Sequence, residues 1–249
     1  MKKKVLLLSG LFAFFAILIL LLDTPYRNAR SLVNKIENND IKEIRAALES
    51  GVNPNIPTFA PSPLWSAVET SPQQPLAVAC YYGNVEIVAL LLEYGASAEY
   101  VKYTGWSPLQ ETLFHYHEDD LEIVQALLQN GADPWKAESD VLPVFRAAQM
   151  QPSDRISSNR TYNENIAREI TEIVMILLGD RDVNTRSMSG QTLLMQASKS
   201  GNTYLVEQLL ACGADPNVVD YYGNSALDYA KSCDNKQIEE LIECSMRNQ

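Results

Sequence analysis

GQTLLMQASKSGNTYLVEQLLACGADPN, residues Gly190 to Asn217, is the stretch that decides the fold. A short apolar segment rich in small residues is stopped by Gly201-Asn202. A second segment carries paired aliphatic residues, and Gly213-Ala214 closes it. PLAVACYYGNVEIVALLLEYGASAE, residues Pro75 to Glu99, follows the same order. Self-similarity at a period of a few tens of residues outranks local propensity, because it fixes a stacked architecture in which each unit buries its apolar face against its neighbours.

Each slot has a physical reason. Pro75, Pro108 and Pro143 suit a first helical turn, where the missing N–H costs nothing. Ala79, Ala148 and Ala197 keep one face of the first helix thin enough for close packing. Gly83 and Gly201 end the first helix, and Gly95, Gly131 and Gly213 fit the left-handed position that closes the second. Ile87-Val88 with Leu91-Leu92, and Ile123-Val124 with Leu127-Leu128, set apolar side chains at i, i+3 and i+4 and predict one buried stripe.

With these residues in place the sequence resembles the ankyrin-repeat family, whose repeats open on Gly-x-Thr-Pro-Leu and end on Ile-Val-x-x-Leu-Leu-x-x-Gly-Ala-Asp-x-Asn. The opening appears as Gly105-Trp106-Ser107-Pro108-Leu109 and Gly190-Gln191-Thr192-Leu193-Leu194. The ending appears as Gly131-Ala132-Asp133-Pro134 and Gly213-Ala214-Asp215-Pro216-Asn217. The resemblance implies an all-α fold, an α-solenoid of helix-turn-helix repeats with short β-hairpin fingers.

The closing positions fall at Gly51, Gly95, Gly131, Asp180 and Gly213, in steps of 44, 36, 49 and 33 residues, against about 33 for the family. The excess sits in insertions near 61–74, 116–120 and 151–166, and the repeat domain covers about 28–245 in about six units. The last unit, from Gly223 to Cys244, carries Glu239, Glu240 and Glu243 on its second helix, as expected of a capping repeat that faces water. Residues 23–27 read as a linker and 246–249 as a tail.

Ahead of the repeats, the basic flank 1–4 with Lys2-Lys3-Lys4 precedes an apolar run over 5–22, broken only by Ser9 and Gly10. Its eighteen residues would span roughly 27 Å as a helix, close to a hydrocarbon core and longer than the ~7–15 residues of a signal-peptide core. The run predicts an uncleaved signal anchor: a single transmembrane helix with the flank in the cytoplasm and the repeats in the periplasm, at a bacterial inner membrane. Arg27, Arg30 and Lys35 on the far side weaken that charge asymmetry, and a cleaved signal peptide releasing a soluble periplasmic domain is the alternative.

Across 249 residues, 20 Lys+Arg stand against 31 Asp+Glu, a net charge of -11; removing the three lysines of residues 1–22 takes it to -14. Such a surface repels phosphate backbones and attracts basic ones, so a protein with a basic surface is expected as partner and nucleic acid is not. At 46% hydrophobic and 20% charged, the chain is neither a disulfide mini-protein, a collagen nor a disordered tail.

The sequence holds no phosphate-cradling glycine loop, no Gly-x-Ser-x-Gly elbow and no His-Glu-x-x-His. His115 and His117, at i and i+2, point to opposite sides of a helix and read as surface polar residues beside an insertion. Asp180-x-Asp182-x-Asn184 imitates the start of a calcium loop, but Thr185 stands where the turn needs Gly and Gln191 where a bidentate Glu is needed. Cys80 reads as a buried thiol. Cys212 and Cys244, at nearly equivalent places on adjacent repeats, read as a bridge or as two thiols according to compartment. No catalytic residue, metal, cofactor or small-molecule substrate is therefore expected; the contrary reading is an enzyme site in the Gln151 to Ile166 insertion built on Asp154, Arg155 and Glu164.

Ankyrin-like repeats usually bind through their fingertips and inner helices. By that resemblance the partner-binding candidates are Phe59, Tyr100, Tyr103, Trp106, Trp135, Tyr221 and Tyr222, with the acidic run Glu118-Asp119-Asp120. Exposed aromatics are what interface hot spots are made of. The competing reading is that some of them, Trp106 and Tyr222 among them, pack against a neighbouring finger, and that the acidic run is a solvated loop. The chain is thus expected to be a membrane-anchored protein-binding module without catalysis, monomeric when unbound. The likeness to exported bacterial ankyrin-repeat proteins implies an immunity protein neutralising a secreted toxin such as a type VI lipase effector; the alternative is a periplasmic scaffold or stress-resistance accessory holding a partner at the inner membrane.

Overall fold

From residue 75 onward, short first helices and longer second helices alternate along the chain. The computed structural model describes residues 24–58, 74–99, 106–114, 117–136, 141–152 and 163–247. The predicted anchor over 5–22, Phe59, Tyr100, Tyr103, His115, Asp154, Arg155 and most of the two longer insertions lie outside those residues. The chain divides into two compact units, Met1–Glu111 and Thr112–Gln249.

The first unit holds α1 (24–37), α2 (Ile41–Glu49), α3 (Pro75–Tyr81), α4 (Val85–Glu93) and all but the last residue of α5 (Pro108–Thr112). Residues 24–27, read as linker, are thus helical. The second unit holds α6 (Asp120–Gln129), α7 (Pro143–Ala148), α8 (Glu164–Leu178), α9 (Leu193–Ser200), α10 (Thr203–Ala211), α11 (Ala226–Ser232) and α12 (Lys236–Arg247). Among the described residues no helix is long and apolar enough to cross a membrane.

Among the first helices, α5, α9 and α11 begin on a reciprocal cap, whereas α3 and α7 start on Pro75 and Pro143 without a side-chain cap. The Gln110 backbone N–H donates to Ser107 Oγ at 3.2 Å while the Ser107 N–H donates to Gln110 Oε1 at 3.0 Å, and Ser225 with Asp228 repeats the arrangement at 3.2 and 2.8 Å. The opening motif is therefore a capping device. Second helices start on Asp40, Asn84, Asn163, Asn202 and Asn235, whose side chains accept backbone N–H groups of the first turn.

They end on a Schellman pair. Gly95 N–H donates to the Leu92 carbonyl and Ala96 N–H to that of Leu91, both at 2.9 Å; Gly131-Ala132 and Gly213-Ala214 do the same. Gly51, Gly95, Gly131 and Gly213 all have φ between +79° and +90°. In the fourth repeat the position falls one residue earlier than the sequence suggests, on Gly179 instead of Asp180. Its ψ of -134° departs from the Schellman geometry.

The predicted stripes form the core. Ile87, Val88 and Leu91 in the first unit, and Ile123, Val124 and Leu127 in the second, are at most 1% exposed. Each such side chain contributes about 1.5–3 kcal/mol of burial. Ala79, Ala148 and Ala197 are fully buried, as close packing on a thin helix face requires.

The expected β-hairpin fingers are a correction. Among the described residues there is no strand, only an antiparallel bridge between Val219 and Ser225. Side chains take up the backbone groups that a ladder would have used. Asn53, Asp133, Asp182 and Asp215 each accept the N–H two residues on, at 2.8–2.9 Å, and fold the finger as a turn.

Candidate protein-binding surface

The residue two positions after Asn53, Asp133 or Asp182 decides how that finger meets its neighbour. Asn55 donates from Nδ2 to the Gly95 carbonyl at 2.8 Å and accepts the Ser97 N–H on Oδ1 at 2.7 Å. Asn184 does the same to Gly213 and Asp215, at 3.3 and 2.8 Å. The Asn of the repeat ending is thus a clamp onto the next repeat's closing turn. At Trp135, which stands in that slot, the clamp is replaced by a stack: the Arg181 guanidinium lies 4.8 Å over the ring. Trp135 is half-buried, so it is a joint between repeats before it is a surface for a partner.

The finger before α11 presents a different face. Tyr221 and Tyr222 are 72% and 79% exposed. They are held from beneath by Asp220, itself buried, whose carboxylate accepts the Tyr229 hydroxyl at 2.6 Å and the Tyr222 and Asn224 N–H groups at 2.9 Å. Burial alone would raise the Asp220 pKa, but these hydrogen bonds outweigh it and hold the group below its ordinary range. Gln191 Nε2 donates to the Tyr229 oxygen at 2.6 Å and ties the network to the preceding finger. Burial and then the bond to Asp220 push the Tyr229 hydroxyl up, which keeps it a proton donor.

Arg186 completes the support. Its Nε donates to the Gly190 carbonyl at 2.9 Å, a second bond reaches the Val219 carbonyl, and its guanidinium sits 5.7 Å from the Tyr221 ring centre. The Tyr221 N–H donates to the Ser189 carbonyl at 3.2 Å, beside Met188, which is 75% exposed. Met188, exposed Val219, Tyr221 and Tyr222 therefore make an apolar edge across two adjacent fingers on a braced backbone. Sequence reading found the tyrosines and missed Met188 and Val219. Met188 lies inside Ser187-Met188-Ser189-Gly190, where an apolar residue in a polar turn was the available signal.

The other candidates divide. Trp106 is half-buried directly ahead of the Ser107 cap. Glu118 and Asp119 are exposed on the turn into α6. Asp120 is a correction: its side chain is fully buried, with Oδ2 accepting the His117 N–H at 2.8 Å and Oδ1 lying 3.3 Å from His117 Nδ1. Burial pushes its carboxyl up, against the lowering effect of the His117 bonds. Asp120 organises the turn and is closed to a partner, while His117 is half-buried on it. Cys212 and Cys244 are exposed and not bonded to each other. Among the described residues no group of His, Cys, Asp and Glu could hold a metal, and Asp182 is occupied as a turn acceptor.

This order of caps, Schellman turns and clamped fingers is that of ankyrin repeats, and the chain belongs to that family: the model for ankyrin repeats, in three copies, matches residues 32–138 and 165–248. Among relatives, the Ankyrin repeat and KH domain-containing protein mask-1 of Caenorhabditis elegans is 31% identical over 153 residues, covering 61% of this chain and 5% of that protein. A putative ankyrin repeat-containing protein of Treponema pallidum is 28% identical over 159 residues, 60% of this chain and 44% of its own. The mitochondrial disaggregase of Bos taurus is 26% identical over 167 residues, 67% of this chain and 22% of its own. The chain thus spans less than half the length of each of these relatives. Ankyrin repeats are protein–protein interaction modules, generally without catalysis of their own, and that is the class the fold defines.

Proposed function

We propose that this chain is a membrane-tethered recognition module that seizes a protein partner along the Met188, Val219, Tyr221 and Tyr222 edge. The observation that carries the reading is the pair of tyrosines, exposed yet fixed by the Asp220, Tyr229 and Arg186 supports. Large aromatic rings ordered before binding lose little entropy on contact. Exposed Glu118 and Asp119, with the net charge of -11, favour a partner with a basic surface.

The apolar run over 5–22 supports a tether at a bacterial inner membrane with the repeats in the periplasm. In that compartment the finer role is an immunity protein that occupies a basic secreted toxin. Alkaline phosphatase fused after Gln249 tests the address, since it is active only where its disulfides form. The binding reading is tested by comparing what the full chain and its Tyr221→Ala/Tyr222→Ala variant purify with from the native host. A partner lost from the variant, with helical content unchanged, is the expected result. Identical recovery by both would sink the edge as the binding site, and a resident periplasmic protein in place of a toxin would replace immunity with scaffolding.

A further inference from the structure

The first unit contains a groove of about 230 Å³ that the tyrosine edge does not use. It is lined by Ala77 and Val78 of α3, both buried, by Tyr81 and Tyr82, and by Glu37 of α1, Gln74 and Glu111 of α5. Its volume falls below the ~300–1,000 Å³ typical of sites for drug-sized molecules and suits one long side chain.

Gln74 is fully buried. Its Nε2 donates to the Ser97 carbonyl at 3.0 Å, which fixes the amide, but among the described residues its Oε1 has no hydrogen-bond donor. Buried side-chain acceptors are ordinarily satisfied, so an orphan on a groove wall marks a position that a ligand donor fills. The neighbouring charges are both negative, and among the described residues neither Glu37 nor Glu111 has an ion pair. Glu111 is half-buried, and burial pushes its carboxyl up, the direction a bound cation would reverse. Tyr81 and Tyr82 are partly exposed and meet edge to face, centroids 5.3 Å apart at 88°, and Tyr82, 49% exposed, is the ring a cation can approach.

We infer that this groove receives an arginine side chain projected by a protein partner, its guanidinium shared between Gln74 Oε1 and the Glu37 and Glu111 carboxylates against the tyrosine rings. A planar fork of five donors can serve an amide oxygen and a carboxylate at once, which a single ammonium does less well. The inference rests on the chain being a protein-binding module, but its test needs no partner.

The full chain is titrated with N-acetyl-arginine amide and, in parallel, with the neutral isostere N-acetyl-citrulline amide, followed by nuclear magnetic resonance. Saturable shifts of the Gln74 side-chain amide and the Tyr81 and Tyr82 rings are expected, with a dissociation constant on the order of 1 mM for a ligand this small. Citrulline should bind about tenfold more weakly, and Glu37→Gln/Glu111→Gln should weaken arginine by about the same factor. No saturable shift, shifts confined to other residues, or equal response to citrulline would overturn the inference. The citrulline comparison on the parent chain stands even if the double variant folds poorly. Failure here would leave the tyrosine edge untouched, whereas failure of the edge variant to lose a partner would leave this groove untouched.

Discussion

Tyr221 leaves no room for a side chain at Gly190. A Cβ there would lie 2.8 Å from Cδ1 of the ring, and the glycine's φ is +79°. Gly190→Ala should therefore cost about 1–3 kcal/mol in urea unfolding and displace Tyr221; a change within ~0.5 kcal/mol would contradict the ring's position. Asp220 makes a prediction about pH. Its folded pKa is lowered from 3.8, so its contribution is complete above that value, where the unfolded group is also ionised, and is lost as pH falls through the folded value. Asp220→Asn should be less stable than the parent at about pH 7 and lose less than the parent between about pH 5 and about pH 2. Asp120 works in the opposite sense: its pKa is raised, so its contribution is present below 3.8 and declines as pH rises through the folded value. Comparing Asp220→Asn with the parent cancels that term. Equal slopes for the two proteins in thermal unfolding against pH would refute the Asp220 network.

Asn202 joins two helices. It is fully buried, its Oδ1 accepts the Leu205 N–H at 3.0 Å to start α10, and its Nδ2 donates to the Ala167 carbonyl of α8 at 3.2 Å. Asn202→Ala removes the cap and the side-chain bond to α8, whose Ala167 carbonyl keeps the Thr171 hydroxyl as a donor, so about 1–2 kcal/mol should be lost in chemical denaturation. The Trp135 and Arg181 stack should show a coupling of about 0.5–1 kcal/mol in a double-mutant cycle, and additive losses would mean the two do not act together. The elements themselves were legible in the sequence, because the Gly-Ala closings and Ile-Val/Leu-Leu stripes each have a local cause that the structure repeats from one helix to the next. Fingers were not legible as turns, since the competition between an Asx turn and a strand ladder is settled by side chains such as Asp133 and Asp215. Nor was the fate of Trp135 and Asp120, one stacked and one buried, because each is decided by a contact whose other half is set by how the chain folds around it. Reading Trp135 as the occupant of an Asn slot would have required knowing what the Asn does.

At the scale of the molecule, most arginines described in the second unit lie over the protein's own aromatic rings. In the second unit, four of the five arginines described, Arg146, Arg168, Arg181 and Arg186, lie 4.8–5.7 Å over Phe114, Tyr204, Trp135 and Tyr221. Acidic residues outnumber basic ones, 31 to 20, and set the sign of the outer field. Association with a basic partner should accordingly slow several-fold between about 50 mM and about 500 mM salt, with a smaller change in dissociation, as stopped-flow mixing would show. The class of function was readable because the repeats name it; the binding edge was half readable, since exposure of Met188 and support of Tyr221 come only with the fold. The most direct test places a photo-activatable phenylalanine in the full chain, in its native host, at Tyr222, at Met188 and, as a control, at exposed Glu240 of α12. A discrete adduct to the same protein from positions 222 and 188, and none from 240, is the predicted result. Adducts equal at all three positions, or absent from 222 and 188, would contradict the claim that this edge is where the protein binds.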